Sequence, residues 1–503
     1  MNRRTFLKAL AAGASAAAIP EGLARAAGAA PDRKPNVVLI LADDMGYGDL
    51  ACQNPDSRIP TPHLDTLARQ GTRFTDAHSP SAVCTPTRYA LLTGRYCWRS
   101  QLKRGVLRPW GRPLIEPDRL TVPAMLRARG YDTACIGKWH LGWDWRTADG
   151  KPVRVGSLGE GIDFAKPIAD GPTTRGFDSY FGTAVPNYPP YCFIENDRTV
   201  GIPTKPKPKS MFGNPGPMLE GWDLVKILPA LQHRAVDFIE SRPRQDGLAR
   251  PFFLYMPLTG PHTPIAPAPE FRGKSRAGAY GDFVCQIDHV VGQVMAALDR
   301  QALADNTLVI FTSDNGSPGR DGTHMSGPTN SVRRYGHNPS HIYRGIKADV
   351  WDGGHRVPFI ARWPHHIPAG ATSAEPICHV DLMGTLAAIL GHDLPNDAGE
   401  DSYNILPALL GHKRDKPIRE AIVHHSIGGM FAVRQGNWKL ILGQGSGGWT
   451  RGGKGPDEPP GQLYDVVADP AETKNLWRER PEVVERLSAL LKQYQSQNRS
   501  RPL

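Results

Sequence analysis

Two apolar runs that end in acid set the frame for this 503-residue chain. "PNVVLILADD" (35–44) and "NTLVIFTSDNG" (306–316) are each β-branched, continuous rather than alternating, and closed by a hydrophilic pair. A continuous apolar strand is buried on both faces, the condition of a strand inside a helix-covered parallel sheet. Helical patterns fall around them at 62–71, 121–130 and 283–301. Strands alternating with such helices predict an α/β fold with a mixed, mostly parallel central sheet.

In open α/β sheets, ligands collect beyond the carboxyl ends of the strands. Asp43-Asp44 and Asp314-Asn315 stand there, so four hard oxygen side chains from distant parts of the sequence are candidates to converge. Taken singly, each pair reads more readily as a helix cap or an Asx turn. Taken together, they suit Ca²⁺ or Mg²⁺ rather than zinc.

A third stretch, "SAVCTPTRYALLTGRY" (81–96), places a cysteine at the mouth of a helix. Thr85 is a candidate cap and Pro86 a candidate first residue for a helix running to Gly94, with Cys84 at its positive end and Arg88 one turn on. A helix N-terminus beside an arginine attracts an oxyanion such as phosphate or sulfate. In the same field a free thiol is expected to ionise easily.

The remaining segments bound the class. Residues 1–30 carry Arg3-Arg4, an Ala-rich stretch and small-residue cleavage sites, the pattern of a twin-arginine export signal, which implies a periplasmic or extracellular destination. No later apolar run approaches the ~20 residues of a membrane span. The formal charge of +11 favours polyanionic partners, but no zinc-finger, helix-turn-helix or RNA-binding signature accompanies it, so nucleic acid is not an expected partner. Seven cysteines show no C-x-x-C spacing. Residues 141–222, rich in Pro, Gly and aromatics, read as long surface loops. From about 415, "FAVRQGNWKLIL", "GQLYDVVADP" and "PEVVERLSALLKQYQSQN" read as a small antiparallel sheet and a terminal helix. The expected organisation is a signal at 1–30, a catalytic domain at 31–414 and a C-terminal subdomain at 415–503.

C-T-P-T-R followed by "LLTGR" resembles the C-x-P-x-R signature of type I sulfatases, whose cysteine is oxidised after translation to a formylglycine. The resemblance continues in order through "PNVVLILADDMGYGDL", "GYDTACIGKWHLG", "FFLYMPLTGPHTP", "TLVIFTSDNG", "YRGIKADVWDGGHRVPFIARWP" and "LYDVVADPAETKNL". Asp352 departs from it, since the family more often has Glu there; a change confined to a contact behind the site is expected.

The resemblance implies an alkaline-phosphatase-like fold and an arylsulfatase-like hydrolase that releases sulfate from an aryl sulfate or a sulfated saccharide. It implies one calcium ion held by Asp43, Asp44, Asp314 and Asn315 with the modified Cys84, and a formylglycine-generating maturation enzyme as a partner. Hydrated formylglycine offers two geminal hydroxyls, one to attack sulfur and one to break the adduct, with Asp314 as a proton acceptor during attack. Arg88, Lys138 and Lys347 are implied to stabilise the transferring group. His140 is implied to take the proton from the second hydroxyl, and His262, shared with Lys347, to protonate the departing alcohol. In the rim stretch 317–344, His337, His341, Arg333 and Arg334 are candidates for leaving-group contacts, and Trp143, Trp145, Tyr188 and Tyr191 for stacking. Two other readings stay open: a phosphonate or phosphate ester hydrolase using the same modified cysteine, and an inactive polyanion binder should Cys84 stay a thiol.

Overall fold

Asn36–Asp43 lies inside a ten-stranded mixed sheet. In the computed structural model, which describes residues 33–243, 250–453 and 455–502, the strands lie in the order Ala371–Ser373, Thr72–Phe74, Phe359–Arg362, Thr307–Ser313, Asn36–Asp43, Phe252–Pro261, Asp132–Lys138, Ser179–Thr183, Ile194–Glu195 and Arg198–Thr199. From Thr307–Ser313 to Ser179–Thr183 all neighbours run parallel. Antiparallel pairings flank this block on both sides. The mostly parallel α/β architecture expected from the two apolar runs is the one observed. The export segment at 1–30 lies outside the described residues.

Alternation along the first strand explains the layers. Val37, Leu39 and Leu41 pack with Tyr89, Leu91, Met125 and Leu386, from the helices Cys84–Thr93, Val122–Arg127 and Leu382–Ile389. Val38, Ile40 and Ala42 pack with Leu64, Leu231, Val284 and Val291, from Pro62–Arg69, Ile227–Glu240 and Gly278–Arg300. Each fully buried Val, Leu or Ile is worth roughly 1.5–3 kcal/mol of transfer free energy, so both faces drive the sheet's burial. The pairing of the two apolar strands is unbroken from Asn36↔Thr307 to Ala42↔Ser313. Their ends therefore coincide, and the hydrophilic pairs that follow emerge side by side.

Residues 141–222 depart from the surface-loop expectation, because they supply Ser179–Thr183 and the Ile194–Thr199 hairpin to the sheet. Glycine masked the strand signal in "YFGTA". A Cβ on Gly182 would sit 1.8 Å from the Gly137 carbonyl oxygen, so close backbone approach fixes that residue rather than strand propensity.

After residue 415 the expected antiparallel sheet forms from Ile422–His425, Phe431–Gln435, Trp438–Ile441 and Gln462–Asp465. The terminal helix Pro481–Ser496 packs Val483, Leu487 and Leu491 on its Val423, Val433 and Leu440. All seven cysteines are free thiols. Among the described residues no helix is long and apolar enough to cross a membrane.

Candidate active site

At the paired strand ends Asp43, Asp44, Asp314 and Asn315 are all buried. Asp44 turns back through the left-handed region, φ 69°, and its backbone N–H donates to Asp314 Oδ1 at 3.1 Å. Asn315 Nδ2 donates to Asp44 Oδ1 at 2.7 Å. Three cations close the cluster. Lys138 Nζ donates to Asp43 Oδ2 at 2.6 Å, Lys347 Nζ to Asp44 Oδ2 at 2.7 Å, and Arg88 Nε and Nη2 to Asp314 Oδ2 at 3.1 and 2.8 Å.

Two oxygens remain without a hydrogen bond, Asp43 Oδ1 and Asn315 Oδ1. Buried oxygens left unpaired are costly, and a hard cation is what such a donor set accepts. Asp43, Asp44 and Asp314 balance Arg88, Lys138 and Lys347, so the six buried charges sum to zero before a cation and an anionic ester enter. Burial pushes the Asp44 carboxyl up, but Lys347 and His262 outweigh it and hold it below its ordinary value. Burial and the neighbouring Asp43 push the Asp314 carboxyl up. The four residues fit a calcium ion.

Cys84 opens the helix Cys84–Thr93, every residue of which is buried. Its Sγ, a carboxylate oxygen of Asp43 and one of Asp314 lie within 4.8 Å of one another. Val83, not Thr85, is the N-cap, without a side-chain hydrogen bond. Thr85 Oγ1 instead donates to the His140 carbonyl at 3.2 Å and accepts from Leu107 N–H at 3.3 Å, tying two neighbouring loops to the helix start. The easily ionised thiol expected from the helix field does not form. Burial pushes the Cys84 thiol up, and Lys138 and Lys347 offset this only in part.

Both candidate histidines are found here. His140, at φ 52°, points Nε2 at the Leu107 carbonyl at 3.0 Å. A carbonyl only accepts, so Nε2 carries the proton and the buried Nδ1, which has no partner, is the basic atom. His262 Nδ1 faces the Thr263 carbonyl at 2.5 Å, leaving Nε2 free at 3.8 Å from Asp44 Oδ2. Burial, then Lys138 for His140 and Lys347 for His262, holds both rings well below the ordinary imidazole pKa.

The rim candidates divide. Trp143, Trp145 and Tyr191 are 5%, 6% and 1% exposed, so they are core packing rather than a stacking surface. Tyr188 stays beside His140, ring centroids 5.9 Å apart. His337 is not a surface contact: it is buried, Nε2 on Asp49 Oδ1 at 2.7 Å and Nδ1 accepting from Arg58 N–H. His341 is half-buried, and Arg333 and Arg334 are exposed. Asp352 contacts none of the cluster; it accepts from Lys439 and Arg356 beneath the C-terminal sheet. Trp449, missed in the sequence, is 40% exposed, with Lys347 Nζ 5.9 Å from its ring centroid. A tryptophan inside the glycine-rich "GSGGWTRGG" was the available signal.

An acid-rich strand-end cluster beside a cysteine helix defines the class. The family described as Sulfatase matches residues 35–392, and the chain belongs to that family. It is 36% identical to an N-acetylgalactosamine-6-O-sulfatase of Bacteroides thetaiotaomicron, over 91% of this chain and 93% of that one. It is 34% identical to human arylsulfatase A, over 90% and 85%. A solved structure from work on glycosaminoglycan metabolism by Bacteroides thetaiotaomicron superposes with a TM-score of 0.78 at 33% identity, covering 92% of this chain and 99% of the other. The fold is alkaline-phosphatase-like, and the protein is a type I sulfatase, a sulfuric ester hydrolase.

Proposed function

We propose that the protein hydrolyses a sulfated saccharide through a formylglycine made from Cys84 beside a calcium ion. Residues 31–414 form the catalytic domain and 415–503 a subdomain at its rim, behind an export signal at 1–30 that directs the protein to the periplasm or beyond. A maturation enzyme acting on Cys84 is the required partner. The saccharide, rather than an aryl sulfate, is favoured by the N-acetylgalactosamine-6-O-sulfatase relative. The single observation that carries the reading is the seat of Cys84 against Asp43 and Asp314, next to two unpaired buried oxygens.

Asp43, Asp44, Asp314 and Asn315 would hold the calcium, which when bound supplies a Lewis-acid pull on sulfate oxygens and on the hydroxyl at position 84. Arg88, held charged by Asp314 and Asp43 against the pull of burial, and Lys138 stabilise the negative charge of the transferring sulfuryl group. His140 takes a proton at Nδ1, the nitrogen its Leu107 contact leaves bare. His262 Nε2 and Lys347 Nζ face the leaving-group side. With Nδ1 at the Thr263 carbonyl, a proton held at His262 Nε2 or at Lys347 Nζ is the one given to the departing alcohol.

Mass spectrometry of the tryptic peptide carrying residue 84, together with kcat/KM on matched sulfate and phosphate esters, tests the reading. An aldehyde at 84 with sulfate strongly preferred supports it. A larger kcat/KM for phosphate rejects the sulfatase assignment, and an unmodified thiol with glycan binding but no turnover rejects the mechanism.

A further inference from the structure

We infer that Trp449, carried in by the C-terminal subdomain, is the stacking wall of the leaving-group subsite and recognises the pyranose ring next to the scissile sulfate; this rests on the saccharide-sulfatase reading above. Three observations carry it. Trp143, Trp145 and Tyr191 are buried, whereas the Trp449 indole is 40% exposed; Tyr335 is 38% exposed, but the cation over its ring is Arg334, not a member of the acid cluster. Its ring centroid is 5.9 Å from Lys347 Nζ, which itself holds Asp44, so the ring borders the reacting centre. The loop bearing it is clamped. The buried Asp349 carboxylate accepts from Trp449 N–H at 2.8 Å and Thr450 N–H at 3.0 Å, and its other oxygen accepts from Ile346 N–H at 3.0 Å in the turn that carries Lys347. One side chain therefore fixes both the indole and the lysine. Gly448 permits that approach, since a Cβ there would lie 2.3 Å from the Ala348 carbonyl oxygen.

An exposed tryptophan with an anchored backbone loses little entropy when a ring stacks on it. Its electron-rich face suits the polarised C–H groups of a pyranose. Arg320, its guanidinium 5.9 Å from the ring centroid, keeps the outer border positive, which suits a saccharide bearing further anionic groups.

The test compares wild type, Trp449→Ala and Trp449→Phe on a 6-sulfated N-acetylhexosamine and on a small alkyl sulfate lacking a ring. The expected result is a KM for the saccharide raised about tenfold in Trp449→Ala with kcat nearly unchanged, largely restored in Trp449→Phe, and alkyl sulfate turnover unaffected. Calorimetry of the same saccharide with Cys84→Ala protein, with and without Trp449→Ala, reads the contact without turnover and should show the same tenfold weakening. Equal losses on both substrates would overturn the inference in favour of a role in placing Lys347. An unchanged KM, or no saccharide binding by the Cys84→Ala protein, also overturns it. If the wild type releases no sulfate while calorimetry still shows the Trp449 dependence, the mechanism above falls and this contact stands.

Discussion

Asp43, Asp44 and Asp314 face Arg88, Lys138 and Lys347 at the end of the central sheet. Elsewhere, Asp76, Asp352 and Glu472 face Arg356, Arg434 and Lys439 where the C-terminal sheet meets the main body. Both clusters bury three acids against three bases. In the second, both oxygens of Asp76 accept from Arg434, at 2.6 and 2.7 Å, and both oxygens of Asp352 accept, from Lys439 at 2.7 Å and Arg356 at 3.0 Å. In the first, Asp43 Oδ1 and Asn315 Oδ1 have no such partner. Glu472 Oε1 in the second cluster has no hydrogen bond either, but Lys439 Nζ lies 2.8 Å from it, whereas Arg88 Nη2 stands 3.7 Å from Asp43 Oδ1. Oxygens covered by a cation make a clasp, and uncovered ones make a receptor for a cation.

The second cluster also contains His78, His355 and His424, close enough together to suggest a metal site. The ring geometry argues otherwise. His355 and His424 are stacked with centroids 3.8 Å apart and planes 11° from parallel. An imidazole lone pair lies in its ring plane, so two face-to-face rings cannot aim at one ion. These histidines fill the clasp as neutral packing.

The largest expected effect separates the two clusters by activity. Asp314→Ala should lower kcat/KM by about 10³-fold or more, because it removes a cation ligand and frees Arg88. Asp76→Ala should leave the activity of folded protein nearly intact. A comparable loss in both variants would erase the distinction between receptor and clasp.

Stability should reverse the order. Removing Asp76 takes from Arg434 the carboxylate that pairs both its terminal nitrogens and leaves Arg356 with Asp352 alone, a change of the kind that costs about 3–5 kcal/mol. Chemical denaturation of Asp76→Ala against wild type reads this directly; a loss under 1 kcal/mol would mean that the clasp is ornamental.

Acid sharpens the comparison further. Burial lowers the pKa of His78 to about 4, against the support of Asp76 and with Arg356 adding to the depression. The unfolded chain takes up a proton near the ordinary value of about 6.5 and the folded one resists it. This stability is therefore complete above about pH 6.5 and drains away as the pH falls toward 4, a total on the order of 3 kcal/mol for one such buried ring. The Asp76 carboxyl, held well below its ordinary value by Arg356, His78 and Arg434 against its burial, contributes only at lower pH. Unfolding midpoints should fall between pH 6.5 and 5 in wild type and fall less steeply in His78→Gln.

The receptor was more legible in the sequence than the clasp, for a physical reason. Asp43, Asp44, Asp314 and Asn315 each end an apolar run, so local pattern locates them and strand register brings them together. Cys84 and Arg88 share one helix turn, so their spacing carried the message. The helix cap was misplaced at Thr85, because the loops that claim its hydroxyl, at Leu107 and His140, lie far along the chain. Asp76 meets Arg434 across 358 residues and Asp349 meets Trp449 across 100, with no local periodicity to announce either. Trp143, Trp145 and Tyr191 were legible as aromatic but not as buried, since glycine-rich surroundings concealed the strands beside them.

The smallest effect is the most selective. A cation bound only by the folded state stabilises it by about 2.7 kcal/mol at a hundredfold excess over its dissociation constant. Calcium added to chelator-treated wild type should therefore raise the unfolding midpoint by a few degrees. Asn315→Ala removes an unpaired oxygen together with the Nδ2 hydrogen bond to Asp44, which keeps Lys347 as its partner, so in chelator its midpoint should fall only modestly while it gains nothing from calcium. Asp76→Ala should behave in the opposite way, with a low midpoint in chelator and the full calcium increment on top. The two variants cross only if the cation site and the clasp are energetically independent. A calcium increment that survives in Asn315→Ala, or vanishes in Asp76→Ala, would show that the ion sits elsewhere or that the C-terminal sheet helps to hold it.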